Sequence, residues 1–242
     1  MKKVTTLVLT IFIVGIANAQ WGKKIKGNGK VVTIERSTAD YEAISVAGWF
    51  DVELVEGNEG AISLKGEENL LEYIITEVKD GKLVVKAEKG YNLQPSSWGK
   101  GGIFITIPVE QINSVSMSGS GDLVGNTRLK ANDFSTRMSG SGDLSLTVEA
   151  TNMSVSVSGS GDMKLKGSTE NLEVQISGSG DVHAYELIAD NVSAQVSGSA
   201  DIEVTANEML KARVSGSGDI SYRGNPKKID SKTSGSGDIT KG

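Results

Sequence analysis

Ser158-Gly159-Ser160-Gly161-Asp162 is one copy of a pentapeptide that recurs through the second half of the chain. Identical copies begin at Ser118, Ser139, Ser177, Ser215 and Ser234, and a near copy beginning at Ser197 ends in Ala200-Asp201. The closing aspartates lie 18 to 21 residues apart. One small structural unit is therefore repeated at nearly constant length.

The residues around each pentapeptide alternate between apolar and small polar side chains, which is typical of strands with one buried face. In one unit the apolar positions are Met153, Val155, Val157, Met163 and Leu165. The same template fits the later units, with Leu172, Val174, Ile176, Val182 and Ala184, then Val192, Ala194, Val196, Ile202 and Val204, then Leu210, Ala212, Val214, Ile220 and Tyr222. Between the two strands we expect a corner that needs glycine twice, because tight turns call for positive φ. Serine and aspartate side chains can bind the free N–H groups of such a turn.

One unit cannot bury its apolar face alone, but neighbours stacked in register bury a continuous core. The sequence therefore predicts an all-β fold, a parallel β-helix (β-solenoid) of about seven coils of 18–21 residues. Parallel crossovers favour a right-handed coil. An antiparallel meander with the pentapeptide as a hairpin loop is the alternative. Identical corners favour the solenoid, in which each corner stacks on its own copy, whereas hairpins can differ in turn type.

Residues 1–19 have the three parts of a secretory signal peptide: Lys2 and Lys3, an apolar stretch over 4–16, and Ala17-Asn18-Ala19 as the cleavage motif. An uncleaved anchor is the alternative, but the stretch is shorter than the ~20 residues that a bilayer needs. We expect a mature chain that begins at Gln20 with a disordered segment over 20–27. Export would place it in the periplasm or at the surface of a Gram-negative bacterium.

The chain has 242 residues, with 25 Lys and Arg against 30 Asp and Glu, and it becomes more acidic when the signal peptide is removed. This balance does not favour nucleic acid as a partner. No cysteine is present, which excludes disulfides and anchoring through a lipid-modified cysteine. No segment of the mature chain is predicted to cross a membrane as a helix.

Residues 28–112 are predicted to form a β-rich half that caps the solenoid of residues 113–242. Gly48-Trp49-Phe50-Asp51 has the position of a degenerate corner, although chance similarity is the alternative. Residues 70–75 are the one helix candidate, Asp80-Gly81 predicts a hairpin turn, and residues 90–102 form a long irregular stretch. Lysines around the last corner would discourage edge pairing, and oligomers through the solenoid edge remain an alternative.

The repeated corner aspartates raise the question of cation binding, because calcium sites in some solenoids use turn glycines and aspartates. One carboxylate per coil would leave a cation with too few ligands, so we predict no metal and no cofactor. His183 is the only histidine and is expected to face solvent. Carboxylates that are identical in every coil indicate architecture rather than a polysaccharide-cleaving site. We therefore predict no catalytic residues and no enzyme.

Tyr91 and Trp98, within the stretch 90–102, are the candidate contacts for a partner, since aromatic side chains stack on sugars and anchor interfaces. The alternative is that they pack the first half onto the solenoid. The partner predicted is a protein or glycan at the cell envelope.

Four features of the sequence occur together: the signal peptide, the segment Asn69-Leu70-Leu71-Glu72-Tyr73-Ile74, the stretch Thr76-Glu77-Val78-Lys79-Asp80-Gly81-Lys82-Leu83 and the serial corners. In this combination the chain resembles the family of putative auto-transporter adhesins with a head GIN domain. The resemblance implies a secreted β-solenoid without known site residues. A self-exporting passenger would need a membrane barrel after the repeats, and only four residues follow Asp238, so we expect another export route. The predicted function is a non-enzymatic adhesin or envelope scaffold. A periplasmic structural or stress-related protein is the first alternative, and a polysaccharide-acting enzyme is the second.

Overall fold

A computed structural model describes residues 22–97 and 102–242, and the predicted signal peptide of residues 1–19 and Trp98 lie outside them. The first half holds β1 (Lys23–Lys26), β2 (Val31–Ser37), β3 (Ala43–Gly48), β4 (Asp51–Glu56), β5 (Ala61–Glu67), α1 (Glu68–Leu71), β6 (Ile74–Lys79), β7 (Lys82–Ala87), β8 (Tyr91–Gln94) and β9 (Phe104–Val109). The second half holds β10 (Ser114–Gly119), β11 (Leu123–Gly140), β12 (Leu144–Gly159), β13 (Met163–Gly178), β14 (Val182–Gly198), β15 (Ile202–Gly216), β16 (Ile220–Arg223), β17 (Lys228–Gly235) and β18 (Ile239–Lys241).

The repeat units stack as parallel coils, and each unit pairs with the same positions of the next. Gly140 pairs with Gly159 and Gly159 with Gly178, and the parallel order continues from β10 through β17. Each strand from β11 to β15 runs from one pentapeptide to the next, so one long strand wraps a whole coil. The β-solenoid of about seven coils is confirmed, and the antiparallel meander is wrong.

The apolar residues that alternate with polar ones in each repeat form the core of the solenoid. Every apolar position of the template is buried, except that Tyr222 is half-buried. In the stack, Val157 lies beside Ile176 and Ile176 beside Val196, so like side chains form continuous apolar rows along the axis. Burial of apolar surface shared between coils is the main stabilising term of such a fold.

The two glycines of each corner have different functions. Gly159 has a φ of +136°, a region that side chains with a Cβ rarely adopt. Gly161 is absent from the positive-φ residues of the described chain, and the prediction of positive φ at both glycines is wrong for it. It is glycine because a Cβ there would lie 1.9 Å from the carbonyl oxygen of Gly142 in the preceding coil. Close approach of stacked backbones, rather than turn conformation, selects the second glycine.

Each corner aspartate accepts a hydrogen bond from the backbone of the corresponding aspartate in the next coil. The backbone N–H of Asp181 donates to Oδ1 of Asp162 at 2.9 Å, and the N–H of Asp162 donates to Oδ1 of Asp143 at 3.0 Å. The same bond continues through all seven repeat corners, with distances of 2.7 to 3.3 Å. Each carboxylate therefore caps the next coil rather than its own turn, because the coils lie one strand spacing apart.

The degenerate corner is confirmed as part of the stack. β3 pairs in parallel with β10, so that Gly48 lies beside Gly119, and the N–H of Asp122 donates to Oδ1 of Asp51 at 3.3 Å. A Cβ on Gly121 would meet the backbone of Phe50, which therefore occupies the place of the second glycine. The coil stack thus extends into the first half of the chain.

In the first half of the chain, parallel pairing of coils gives way to a mixture of parallel and antiparallel strands. β3 also pairs in parallel with β7, which pairs with β6 across the predicted hairpin, where Asp80 and Gly81 have φ of 52° and 70°. On the other side β4 pairs with β9, and β5 lies antiparallel to both β2 and β9. The predicted helix is shorter than expected, since the chain is already a strand at Ile74. The capping function of residues 28–112 stays a prediction.

Two expectations about irregular segments are wrong in part. Residues 23–26, expected to be disordered, form β1, and residues 91–94 of the stretch expected to be irregular form β8. The two strands pair in parallel, with Ile25 beside Leu93. Each segment supplies the partner that the other lacks, a long-range pairing that neither shows by itself.

The last coil, β17, is exposed at every residue, including Ile229, which continues the apolar row of Leu210. Lys228 and Lys232 lie on this strand. Among the described residues no helix is long and apolar enough to cross a membrane.

The corner geometry predicts unequal costs for the two glycines. We expect Gly159→Ala to lower the free energy of unfolding by about 1–3 kcal/mol, because it combines positive φ with a contact at 2.2 Å to the Gly140 carbonyl oxygen. Gly161→Ala is expected to cost at least about 1 kcal/mol less. The reason is that Ala200 already occupies that position in its own corner. Urea denaturation midpoints measure both, and equal or reversed costs would contradict this account.

Candidate functional site

A second ladder of side chains runs along the stack at the position directly before each alternating apolar segment. Nδ2 of Asn152 donates to Oδ1 of Asp133 at 2.8 Å, Nδ2 of Asn171 to Oδ1 of Asn152 at 2.9 Å, and Nδ2 of Asn191 to Oδ1 of Asn171 at 3.0 Å. We call these four residues the amide ladder. A carboxamide both donates and accepts, so it can bond to the coil below and the coil above at once.

Sequence reasoning missed the amide ladder, although a signal was present. Asn152, Asn171 and Asn191 recur at intervals of 19 and 20 residues, each directly before the first apolar residue of an alternating strand. Asp133 stands at the same position one coil earlier, paired with Asn152. The pentapeptide, which is longer and appears in every unit, dominates the pattern and hides this shorter recurrence.

A groove with a volume of about 1110 Å³ lies along the amide ladder. We call it the ladder groove. One of its sides is the adjacent row, formed in successive coils by Ser135, Ser154, Glu173, Ser193 and Lys211. Residues that precede the ladder, such as Lys130 and Ala131, lie on the other side.

The ladder groove crosses the solenoid along its axis. Its lining begins at Glu42 in the coil of the degenerate corner and ends at Met209 and Lys211, six coils later. At a spacing of ~4.8 Å between strands, this is a length of roughly 29 Å. An elongated ligand, rather than a compact one, would use this surface fully.

The surface offered to a ligand is mixed, with more apolar than polar area exposed along the lining. The apolar residues behind the ladder, Phe134, Met153, Leu172 and Val192, are at most 2% exposed and belong to the core. What remains accessible is the carboxamides, the hydroxyls of the adjacent row and, at one end, Met209 with 36% exposure. The groove can therefore form hydrogen bonds along its length and also offers apolar surface to a ligand.

Charges in the ladder groove nearly balance. The lining contains the acids Glu42, Asp133 and Glu173 and the bases Lys130 and Lys211. The two oxygens of Asp133 accept from Nδ2 of Asn152 at 2.8 Å and from Nδ2 of Asn132 at 3.0 Å. Its negative charge is thus shared with two donors of the groove itself.

Of the two predicted contact residues, the structure describes Tyr91. It lies half-buried in β8, with its ring centroid 4.4 Å from that of Tyr73. Trp98 lies outside the described residues. A partner contact at Tyr91 and Trp98 stays a prediction.

Glu67 binds the segment that follows β1 and the segment that follows β8. Its side chain is fully buried and accepts from the N–H of Gly29 at 2.5 Å and of Ser96 at 2.8 Å. Burial alone would raise the pKa of Glu67, but the hydrogen bonds from Ser96 and Gly29 outweigh it and lower that pKa below its ordinary value. A buried carboxylate thus ties the first residues of the described chain to the segment that leads toward Trp98.

His183 is exposed, as expected, and its Nδ1 lies 2.9 Å from Oε2 of Glu203 in the next coil. Within residues 22–97 and 102–242, no three His, Asp or Glu side chains come together in a group that could hold a metal ion. The corner carboxylates, the candidates for a cation site, each accept the N–H of the following coil instead.

Comparison with known proteins supports one family. The model of the family described as "Putative auto-transporter adhesin, head GIN domain" matches residues 40–226. No curated protein matches the chain.

Three solved structures share the fold. A putative adhesin from Bacteroides fragilis has 24% identity and a TM-score of 0.82, covering 90% of this chain and 99% of its own. A putative lipid binding protein from Parabacteroides distasonis has 26% identity and a TM-score of 0.76, covering 91% and 100%. A putative adhesin from the same species has 22% identity and a TM-score of 0.74, covering 91% and 100%. The first and third likenesses, below 25% identity, show the fold alone.

The amide ladder should be sensitive to loss of a single donor. Asn171→Asp keeps the acceptor for Asn191 but replaces the donor to Asn152 by a second oxygen. We expect a loss of about 1 kcal/mol in unfolding free energy at neutral pH, and recovery in acid, where a protonated Asp can donate. Asn207→Asp, on an exposed site outside the ladder, is the matched control. Equal denaturation midpoints for the two variants would contradict the ladder's contribution.

The Glu67 anchor should depend on pH. Because its folded pKa is lowered, its stabilisation is present above the ordinary value of 4.5 and is lost as pH falls through the folded value. We expect Glu67→Gln to cost about 1–3 kcal/mol at neutral pH, and the difference from the unmodified protein to shrink in acid.

Glu68→Gln is the control for this anchor. Glu68 is exposed and pairs with Lys30 at the surface, a contact that contributes little to stability. Denaturation of the three proteins at neutral and acid pH measures the effect. A Glu67→Gln cost that does not change with pH would show that the anchor does not depend on the carboxylate charge.

Proposed function

The chain belongs to the family described as putative auto-transporter adhesin, head GIN domain, and from that premise we propose that it is an exported, non-enzymatic binding protein of the cell envelope whose ligand lies in the ladder groove. The observation that carries the proposal is the groove itself, which runs across successive coils with hydrogen-bonding side chains along its length. Concave surfaces along a solenoid are a common place for extended ligands.

The distribution of the repeated side chains supports the groove over the corner as the binding surface. Each corner aspartate uses one carboxylate oxygen to accept the backbone N–H of the next coil, and this hydrogen bond is the same in each coil of the repeat. The amide ladder, by contrast, occupies four coils and ends where Met209 replaces asparagine. A feature that is restricted to part of the stack is a better candidate for a site than one that the whole stack requires.

The name of the Parabacteroides distasonis relative, a putative lipid binding protein, favours a lipid as a second candidate ligand. An acyl chain gains free energy from the apolar area that it covers, about 25 cal/mol per Å². The ladder groove exposes apolar as well as polar surface, but Phe134, Met153 and Leu172 are almost fully covered by the coils themselves, so an acyl chain would not reach the core. We therefore favour a ligand that carries polar groups together with apolar faces.

Binding to cell envelopes tests the proposal. The purified mature chain is sedimented with envelopes of the bacterium that encodes it, and the bound fraction is measured. Ser154, exposed at the middle of the groove, is changed to isoleucine, which suits a strand but narrows the groove and removes a hydroxyl. We expect Ser154→Ile to weaken binding by roughly tenfold.

Ser158→Ile is the control, on the same strand and also exposed, but outside the groove. It should bind as the unmodified protein does. Envelope binding that is equal in the two variants would overturn the assignment of the groove, and absence of envelope binding would overturn the function.

A further inference from the structure

We propose that the ligand of the ladder groove is an uncharged polysaccharide, lying extended along the solenoid axis. This inference rests on the proposed function and names the class of ligand. It follows from three properties of the groove: its repeat distance, its hydrogen-bonding groups and its charge.

The repeat distance favours a polymer with units of one sugar ring. Like side chains recur along the groove once per coil, at about 4.8 Å. An extended peptide advances about 3.3 Å per residue, or roughly 6.6 Å between side chains on one face, and falls out of step within two coils. A pyranose chain linked through opposite sides of its rings advances by close to one strand spacing per sugar, with alternate rings turned over. Each coil can therefore meet one ring and form hydrogen bonds with the hydroxyls of either edge.

The hydrogen-bonding groups suit hydroxyls. Asn171 donates one N–H to Asn152 and accepts one from Asn191, which leaves its second N–H and another lone pair for a ligand. Ser154, in the adjacent row, presents a hydroxyl that both donates and accepts. A ligand that carries donor and acceptor on the same atom, as a sugar hydroxyl does, can satisfy either side of this lining without a fixed polarity.

The charge pattern excludes a polyanion as the preferred ligand. Polyanions are bound by continuous rows of cations, and their affinity falls steeply with salt. In the adjacent row Lys211 is two coils away from Glu173, and Lys130 on the opposite side lies 3.6 Å from Glu149. Isolated cations that are offset by nearby acids give no such row.

Affinity electrophoresis of the mature chain tests the inference. Native gels are cast with galactomannan, glucomannan or hydroxyethyl cellulose, whose backbone sugars are linked through opposite sides of the ring, as uncharged probes. Heparin or alginate serve as polyanions, and phosphatidylcholine vesicles are tested by flotation. We expect at least one uncharged polysaccharide to retard the protein, with an affinity that changes less than about twofold between low and high salt. Ser154→Ile should reduce that affinity by roughly tenfold, and Ser158→Ile should leave it unchanged.

Three outcomes would overturn the inference. One is binding to heparin or alginate alone, lost at high salt. Another is binding to vesicles alone, which Ser154→Ile would strengthen because it adds apolar area. The third is envelope binding that depends on Ser154 while none of the uncharged probes retards the protein, a result that leaves the proposed function intact. Envelope binding that does not depend on Ser154 is the separate failure of the proposed function.

Discussion

The close approach of stacked backbones at the corner is the constraint on which the rest of the structure depends. At Gly161 a Cβ would lie 1.9 Å from a carbonyl oxygen of the coil beneath, and the same approach recurs along the stack. Most corners meet this approach with glycine, while Ala200 and Phe50 hold the same position in two coils. Since a slip of one residue would turn every apolar side chain of a coil outward, a corner that allows one register also fixes the core.

The two ladders use this fixed register in different ways. In the corner ladder the donor is a backbone N–H, as between Asp181 and Asp162, so the bond depends on the carboxylate only as an acceptor. In the amide ladder both partners are side chains, as between Asn171 and Asn152, and groups remain free for another molecule. The first ladder holds coils together at a convex corner, whereas the second lies in a groove. Because the coils are equally spaced, the corner ladder can hold them together along one edge, while the amide ladder forms a candidate binding surface along another.

Much of this fold could be predicted from the sequence, because the determinants are local and repeated. The alternation around Val157 and Val196 identifies the core, and the recurrence of the corner aspartates identifies the stack. The individual functions of Gly159 and Gly161 could not be separated, since positive φ and steric contact with another coil both select glycine. The pairing of β1 with β8 could not be predicted either, because it joins two short segments of different character. The groove escaped prediction for a related reason: its shape depends on how a coil bends, which alternation does not describe.

The corner ladder and the amide ladder differ in how many coils carry them, and this difference distinguishes a structural feature from a candidate binding surface. The corner that contains Asp162 recurs in every repeat coil, and its aspartate bond is kept even where the sequence has changed to Gly48-Trp49-Phe50-Asp51. The amide ladder is less extensive: Met209 follows Asn191 in the stack, and the two strands pair from this position onward, after a register shift between Ala189 and Asn191. The alternating strand that follows Met209 thus pairs with its neighbour without an asparagine at this position. Under the function proposed above, the four coils that carry the ladder serve ligand binding as well as the contacts between coils.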